Sequence, residues 1–154
     1  MPSSPAHCRA HGPGLDPASL IGRRLTGVVA AWHVYEERLD PLPVEVWLLD
    51  DLGGAIRVAS GTDWCLELEP SAPYEGYDMG DWGRFEVTAA DDATPFARHL
   101  GETVLGAREE YEPLTGRIAV ELDFASGTVR CASEDGVLHL RAVEGPATRS
   151  PGAG

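Results

Sequence analysis

The sequence predicts an all-β domain of eight antiparallel strands, arranged as a sandwich or a closed barrel with one short connector helix. Three observations lead to this fold class: apolar and polar residues alternate, glycine-containing turns separate short apolar segments, and two stretches of the chain resemble each other. Alternation with a period of two places one set of side chains on a single face of a sheet. Short strands separated by glycine turns are typical of all-β meanders.

The most regular alternation lies in two segments, Val44–Leu48 and Ile118–Phe124, where every second residue is apolar. Turn-forming residues follow at Gly53-Gly54 and at Ser126-Gly127, and they mark hairpins. Helical spacing is missing from most of the chain, so helices cannot form a layer of this fold.

One segment, Thr94–Leu100, favours a helix. Thr94 can cap its start, Pro95 suits the first helical position, and Gly101 can end it. A helix of one or two turns connects strands and does not build a layer.

Two stretches, residues 20–68 and residues 96–142, agree in the order and spacing of their residues. Gly54–Ser60 matches Gly127–Ser133 with identical Gly, Arg, Ala and Ser, and both Gly22 and Gly101 begin a Gly-x-x-(Leu/Val)-x-Gly pattern. A slip of one residue would turn every side chain to the opposite face, so agreement across four strands favours an internal duplication.

Two four-stranded units with one apolar face each must bury those faces against each other, which predicts a pseudo-twofold axis. The predicted strands are residues 25–37, 44–50, 55–60 and 64–69 in the first unit and 104–112, 117–124, 128–133 and 136–142 in the second. The predicted core is the set that alternates inward: Val28, Val44, Val46, Leu48, Ile56, Val58, Leu66, Leu68, Val104, Ile118, Val120, Leu122, Phe124, Val129, Cys131, Leu138 and Leu140.

The chain is 154 residues long, which suits one domain. Residues 1–18 and 145–154 are rich in Pro, Gly, Ala and Ser and are predicted to be disordered tails, so the domain spans residues 19–144. Three cysteines without metal-ligand spacing favour a reducing compartment, and the first residues lack the apolar region of a signal peptide. We therefore expect the protein in the cytoplasm.

The charge balance restricts the partners. There are 12 arginines, no lysine and 25 acidic residues, for a net charge of −13. The use of arginine alone indicates a GC-rich genome. A strongly negative surface repels nucleic acid and anionic lipid and attracts a basic partner, so we expect no nucleic-acid or membrane binding. No apolar run approaches the roughly 20 residues that a membrane helix needs.

The insertion between the two units, residues 69–95, contains the candidate site. Aromatic residues, carboxylates and glycines interleave there, and Asp63 to Asp92 hold nine acids against Arg84 alone. The candidate partner-binding residues are Tyr74, Tyr77, Asp78, Asp81 and Trp82. Tyrosine and tryptophan provide large contact areas, and carboxylates steer a basic partner, so one interpretation is a recognition loop. The other is a structural lid whose aromatic side chains pack on the sheet.

No pattern of catalytic residues is present: the chain has no Gly-x-Ser-x-Gly elbow, Walker loop, His-Glu-x-x-His or Cys-x-x-Cys motif. We therefore predict no catalytic residue, no metal site and no cofactor. Arg57 and Arg130 occupy equivalent positions in the two units and face outward by alternation. They are interpreted as cross-strand charge partners, with a paired anion site as the alternative.

These observations favour a non-enzymatic acidic interaction module. Small acidic bacterial proteins without catalytic motifs often act as inhibitors or immunity partners of basic toxins, which is an analogy of charge and size. The alternatives are a small-molecule-binding β-barrel with the insertion as its lid, an enzyme with an unrecognised motif, and a domain without a separable activity.

Overall fold

The computed structural model describes residues 14–61, 64–90 and 92–143. Eleven strands and three short 3-10 helices make up this part of the chain, so the all-β prediction is confirmed. The strands are β1 (Leu25–Tyr35), β2 (Arg38–Leu39), β3 (Glu45–Asp50), β4 (Ala55–Ser60), β5 (Leu66–Pro70), β6 (Tyr77–Asp78), β7 (Arg84–Ala89), β8 (Gly106–Glu112), β9 (Gly116–Phe124), β10 (Gly127–Glu134) and β11 (Val137–Val143). The 3-10 helices are Pro17–Leu20, Gly80–Trp82 and Pro95–His99.

The strands form two antiparallel sheets. The large sheet has seven strands in the order β5-β4-β3-β1-β7-β6, and β2 also pairs with β1. The small sheet has four strands in the order β11-β10-β9-β8. The sheets do not close into a barrel, so that alternative of the predicted architecture is wrong.

One hydrophobic cluster lies between the two sheets and includes side chains from both. Val46, Val58 and Leu68 contribute from the large sheet, and Leu122 and Val129 contribute from the small sheet. These residues occupy alternate positions in their strands, as the period-two pattern requires. Burying the two apolar faces against each other therefore holds the layers together.

The predicted core is largely correct. Val44 is an exception, because it precedes β3 and is 38% exposed, and Ile118 and Leu140 are only half-buried. The remaining predicted core residues are buried. Trp47 is buried as well although it faces away from the core, because the insertion covers it.

The predicted number of eight strands is wrong, because β2 and two strands of the insertion, β6 and β7, extend the large sheet. β7 pairs with β1 from Val34↔Arg84 to Val29↔Ala89, and β6 pairs with β7. β1 is central to the large sheet and has β3 on only one side, so its other edge needs hydrogen-bond partners. The alternation of Phe85 and Val87 with polar neighbours was the available signal.

The predicted connector helix is present as the 3-10 helix Pro95–His99. The Phe96 N–H donates to the Thr94 hydroxyl over 3.3 Å, which is the predicted cap. Phe96 is fully buried and its ring contacts Phe124 edge to face. The connector therefore also closes part of the core.

Contacts with the domain begin before the predicted boundary at residue 19. The Leu15 N–H donates to the Leu68 carbonyl over 2.9 Å, and the buried Arg117 donates to the Leu15 carbonyl over 2.8 Å. Arg117 also donates to Glu109 over 2.9 Å, which compensates its buried charge. Residues 1–13 and the predicted tail at 145–154 lie outside the described residues.

Cys65 and Cys131 are buried thiols without a disulfide, as predicted. Burial raises the pKa of the Cys131 thiol to about 12, so this group is inert at neutral pH. Cys8 lies outside the described residues.

The chain entering β1 and the chain entering β8 bond reciprocally. The Gly22 N–H donates to the Val104 carbonyl over 2.8 Å, and the Gly101 N–H donates to the Leu25 carbonyl over 2.7 Å. Both glycines have a positive φ, 93° and 86°, which glycine adopts without strain. A bridge between Arg24 and Thr103 lies at the centre of this crossing.

Replacing Leu122 with Ala should lower the free energy of unfolding by about 2–5 kcal/mol, because Leu122 is fully buried between the sheets. Urea denaturation followed by circular dichroism measures the change. Leu114→Ala, on a side chain that is 82% exposed, is the control and should change the value by less than about 0.5 kcal/mol. Equal effects of the two substitutions would contradict this assignment of the core.

Candidate functional site

The first part of the insertion packs on the outer face of the large sheet. The Tyr74 ring contacts the Trp47 ring edge to face, with centroids 5.1 Å apart, and Trp47 is fully buried. Trp47 lies between the inward residues Val46 and Leu48, so it points to the outer face. Tyr74 therefore belongs to a structural lid.

A polar network fixes Tyr74 in this position. Its hydroxyl donates to the buried carboxylate of Glu45, which also accepts from the Arg57 guanidinium. Arg57 donates in addition to Glu67 over 2.8 Å and to Glu69 over 2.7 Å. Burial, followed by the hydrogen bond to Glu45, raises the pKa of Tyr74 well above its ordinary value.

From Tyr74 a row of rings continues to the edge of the large sheet. Tyr74 contacts Tyr77 with centroids 5.9 Å apart, Tyr77 contacts Phe85 at 5.3 Å, and Phe85 contacts His33 at 5.6 Å. Tyr35 stacks on His33 at the end of the row. Tyr74 at the start of the row is half-buried, whereas Tyr77 and the terminal Tyr35 are 49% and 48% exposed.

Trp82 lies in the turn between β6 and β7 and is 77% exposed. Its carbonyl lies 2.7 Å from His33 Nε2, so this ring nitrogen carries the proton and donates it. Gly83 lets the turn approach β1, because a Cβ there would lie 2.2 Å from the Val34 carbonyl oxygen. Asp78 accepts from the Gly80 N–H over 2.7 Å at the start of the turn. These contacts hold the backbone of Trp82 while its indole faces solvent.

The structure thus divides the five predicted site residues into two groups. Tyr74 belongs to the lid, whereas Tyr77, Asp78, Asp81 and Trp82 are exposed on the β6–β7 hairpin. We use the name hairpin surface for these four residues together with Tyr35, Glu36 and Glu37 of the adjacent β1–β2 hairpin. The last three residues were not predicted as site residues from the sequence, although they show the same combination of tyrosine and carboxylates.

The acids of the insertion are partly neutralised, by Arg57 from outside the insertion as well as by Arg84. Arg57 from β4 pairs with Glu67 and Glu69, and Arg84 pairs with Glu86 over 2.8 Å and with Glu37 over 3.2 Å. Asp78 and Asp81 remain exposed on the hairpin. Solvent-facing carboxylates therefore lie beside Tyr77 and Trp82.

Arg57 and Arg130 are cross-strand charge partners, as the preferred interpretation predicted. Arg130 donates to Glu110 over 2.8 Å and to Glu121 over 3.2 Å on the outer face of the small sheet. Carboxylates therefore occupy both guanidinium groups, which argues against an anion site at either position.

A Ser, His and Glu cluster joins the end of the connector helix, where His99 and Glu102 lie, to Ser126 in the turn between β9 and β10. The His99 Nδ1 atom is 3.1 Å from Glu102 and 3.0 Å from the Ser126 hydroxyl, and that hydroxyl donates to Glu102 over 2.8 Å. Burial raises the pKa of Glu102, but the hydrogen bonds from Ser126 and His99 lower it overall. A catalytic relay needs the serine and the acid on opposite ring nitrogens, so this cluster stabilises the turn.

Tyr74→Phe should lower the free energy of unfolding at pH 8 by about 1–3 kcal/mol, because buried Glu45 loses a donor. The raised pKa of Tyr74 means that the folded state keeps a proton that the unfolded chain loses near pH 10. This contribution is complete below about pH 10 and is lost as the pH rises further. Urea denaturation at pH 8 and near pH 11 should show the difference between wild type and variant shrinking. Tyr35→Phe on the exposed edge is the control, and a difference that grows with pH would contradict the assignment.

Among residues 14–61, 64–90 and 92–143, no group of three metal-ligating side chains converges, and no helix has the length and hydropathy to cross a membrane. Comparison of the chain with protein-family models, with curated proteins and with solved structures finds no match. The geometry of the hairpin surface is therefore the basis for assigning a function.

Proposed function

We propose that this protein is a non-enzymatic acidic interaction module that binds a basic protein through the hairpin surface. One observation carries the proposal: Tyr77 and Trp82, which are 49% and 77% exposed, lie beside the solvent-facing carboxylates Asp78 and Asp81. Aromatic residues dominate the energetics of protein interfaces, and exposed ones next to each other mark interaction sites.

The hairpin surface is held in place before any partner binds. Gly83 brings its turn against β1, and His33 bonds the Trp82 carbonyl. A surface with a fixed backbone loses less conformational entropy on association than a flexible loop. This supports a recognition role for the exposed part of the insertion.

The net charge of −13 supports a basic partner. Carboxylates at the rim of an interface accelerate encounter with a positively charged surface and repel acidic proteins. An inhibitor or immunity-type protein of a basic toxin has this combination of small size, acidity and exposed aromatic residues, and this function remains a class-level analogy.

The small-molecule alternative has less support. The cavity between the sheets, lined by Leu25, Leu48, Ile56, Leu122 and Phe124 among others, measures about 20 Å³, which is room for one water molecule. Binding pockets for small molecules commonly measure about 300–1,000 Å³. This cavity among the described residues is therefore too small for a small-molecule ligand.

We also infer that the chain contains two copies of one unit related by a pseudo-twofold axis. The meanders β1-β3-β4-β5 and β8-β9-β10-β11 have the same strand order. The hydrogen bond that Gly22 of the first unit donates to the second unit is matched by the one that Gly101 of the second unit donates to the first. A residue that lies close to a twofold axis contacts the equivalent residue of the other unit. Ser60 and Ser133, which the sequence comparison equates, bond over 2.7 Å.

Tyr77→Ala combined with Trp82→Ala should leave the fold intact and weaken binding of the basic partner by about 2 kcal/mol or more, because exposed anchors contribute to binding and not to the core. Affinity capture from the source organism identifies the partner, and calorimetry with the purified pair measures the affinity. Leu114→Ala, also strongly exposed, is the matched control. If the double variant unfolds, or binds as wild type does, the hairpin surface is not the recognition site.

Charge reversal at Asp78 and Asp81 should slow association with the same partner, and the effect should be largest at low salt because Coulomb steering is screened. Stopped-flow measurement at low and high ionic strength tests this. An unchanged rate at low salt would contradict a role for these carboxylates.

The duplication predicts that the two meanders superpose strand for strand in an experimental structure, with Gly22 on Gly101, Gly54 on Gly127 and Arg57 on Arg130. A superposition that displaces these positions by one residue would contradict it, because the side chains would then face opposite sides.

A further inference from the structure

A cleft of about 400 Å³ opens at the end of the sandwich where β1, β4 and β10 end. The segment between β2 and β3 forms one wall, and the turn between β10 and β11 forms the other. Its lining includes Asp40, Leu42, Val44, Ser60, Val137 and Leu138. This volume lies within the range of binding pockets, unlike the small cavity between the sheets.

The cleft has apolar walls and an acidic mouth. Val44 and Val137 are 38% and 40% exposed, so apolar surface faces solvent on both sides. The carboxylate at the mouth belongs to Asp40, whose side chain is 56% exposed. An apolar group that carries a cationic neighbour matches both features.

The cleft is continuous with the hairpin surface through His33. The Asp40 N–H donates to the His33 carbonyl over 2.9 Å, and the His33 ring contacts the Trp82 carbonyl. The Asp40 carboxylate also lies 3.6 Å from His33 Nδ1. A partner that covers Trp82 therefore lies next to the cleft.

Trp64, which lies beside the turn between β10 and β11, is 57% exposed and has a φ of 73°. A bulky residue with positive φ is strained, and such residues concentrate at functional sites. The indole nitrogen lies 3.2 Å from the position that a Cβ on Gly136 would occupy, so the indole packs against the turn that walls the cleft.

The negative charge at this end of the molecule favours binding of a basic protein segment in the cleft. The segments 36–40, 75–86 and 134–135 hold nine carboxylates, and Arg38 and Arg84 are their only basic residues. A basic protein segment is attracted here, whereas an acidic or neutral one gains nothing from this field.

We propose, resting on the function proposed above, that the basic partner inserts one apolar side chain into this cleft while neighbouring cationic side chains meet Asp40 and the hairpin surface. The cleft then contributes the central apolar anchor of the interface, and the carboxylates form its polar rim.

Two synthetic peptides test this proposal on the full chain: acetyl-Lys-Lys-Gly-Leu-Gly-Lys-Lys-amide and its matched form with Gly in place of Leu. They carry equal charge and differ in one apolar side chain. NMR titration of the isotope-labelled protein at low salt should show tighter binding of the leucine peptide by about tenfold. Its additional shifts should appear at Val44, Gly136 and Val137.

Val44→Trp should fill the cleft and abolish the leucine preference, while binding of the glycine peptide stays unchanged. Leu52→Trp, at the other end of β3 and 74% exposed, is the control and should keep the preference. Asp78→Lys with Asp81→Lys should weaken both peptides alike, which reports on the hairpin surface. If Val44→Trp disturbs the fold, the chemical-shift changes at Val44, Gly136 and Val137 of the wild-type protein test whether the leucine side chain binds in the cleft.

Equal binding of the two peptides by the wild type, with both weakened by the Asp reversals, would overturn the cleft proposal and leave the proposed function standing. Failure of both peptides to bind would overturn both proposals. A leucine preference whose shifts lie outside the cleft would also overturn this assignment.

Discussion

Each sheet has one continuous apolar face, and the burial of these two faces against each other determines where the remaining elements lie. Side chains such as Val58 and Leu122 leave water only when the sheets are stacked, and area buried in this way is the main favourable term in folding. Stacking in turn places the ends of β4 and β10 together, where Ser60 meets Ser133. The cleft forms at this same end of the molecule.

The large sheet is buried on both faces over part of its width. This explains why one part of the insertion covers the sheet and another part is exposed. Trp47 on the outer face needs a cover, and Tyr74 provides it together with the carboxylate network around Arg57. The chain then adds β6 and β7 to the free side of β1. The turn between them extends beyond the cover, so the residues after Tyr74 can serve recognition.

The elements that follow simple periodicity could be predicted from the sequence. All eight predicted strands exist with bounds close to those expected, because Val46, Leu122 and their alternating neighbours can face only one core. β7 was missed because its alternation of Phe85 and Val87 lies among glycines and acids that also favour a loop. β7 pairs with the side of β1 that β3 leaves free. The sequence does not reveal which strand edge of a sheet lacks a hydrogen-bonding neighbour.

The residue types of the candidate site could be predicted from the sequence, but the contacts that these residues make could not. Tyr77, Asp78, Asp81 and Trp82 are exposed together as expected, whereas Tyr74 was grouped with them although its hydroxyl reaches Glu45, 29 positions earlier in the chain. Long-range contacts of this kind, such as the pairing of Arg57 with Glu67 and with Glu69 at the start of the insertion, follow from sheet order. Sheet order is also what brings the β1–β2 hairpin next to Trp82.

Hydrogen–deuterium exchange of the protein alone and in complex with a captured basic partner locates the binding surface without any substitution. In the complex, we expect slower exchange in peptides covering the β1–β2 hairpin and the turn at Gly80–Trp82, and unchanged exchange on the outer face of the small sheet. Protection confined to the small sheet around Arg108 and Arg130 would contradict this expectation.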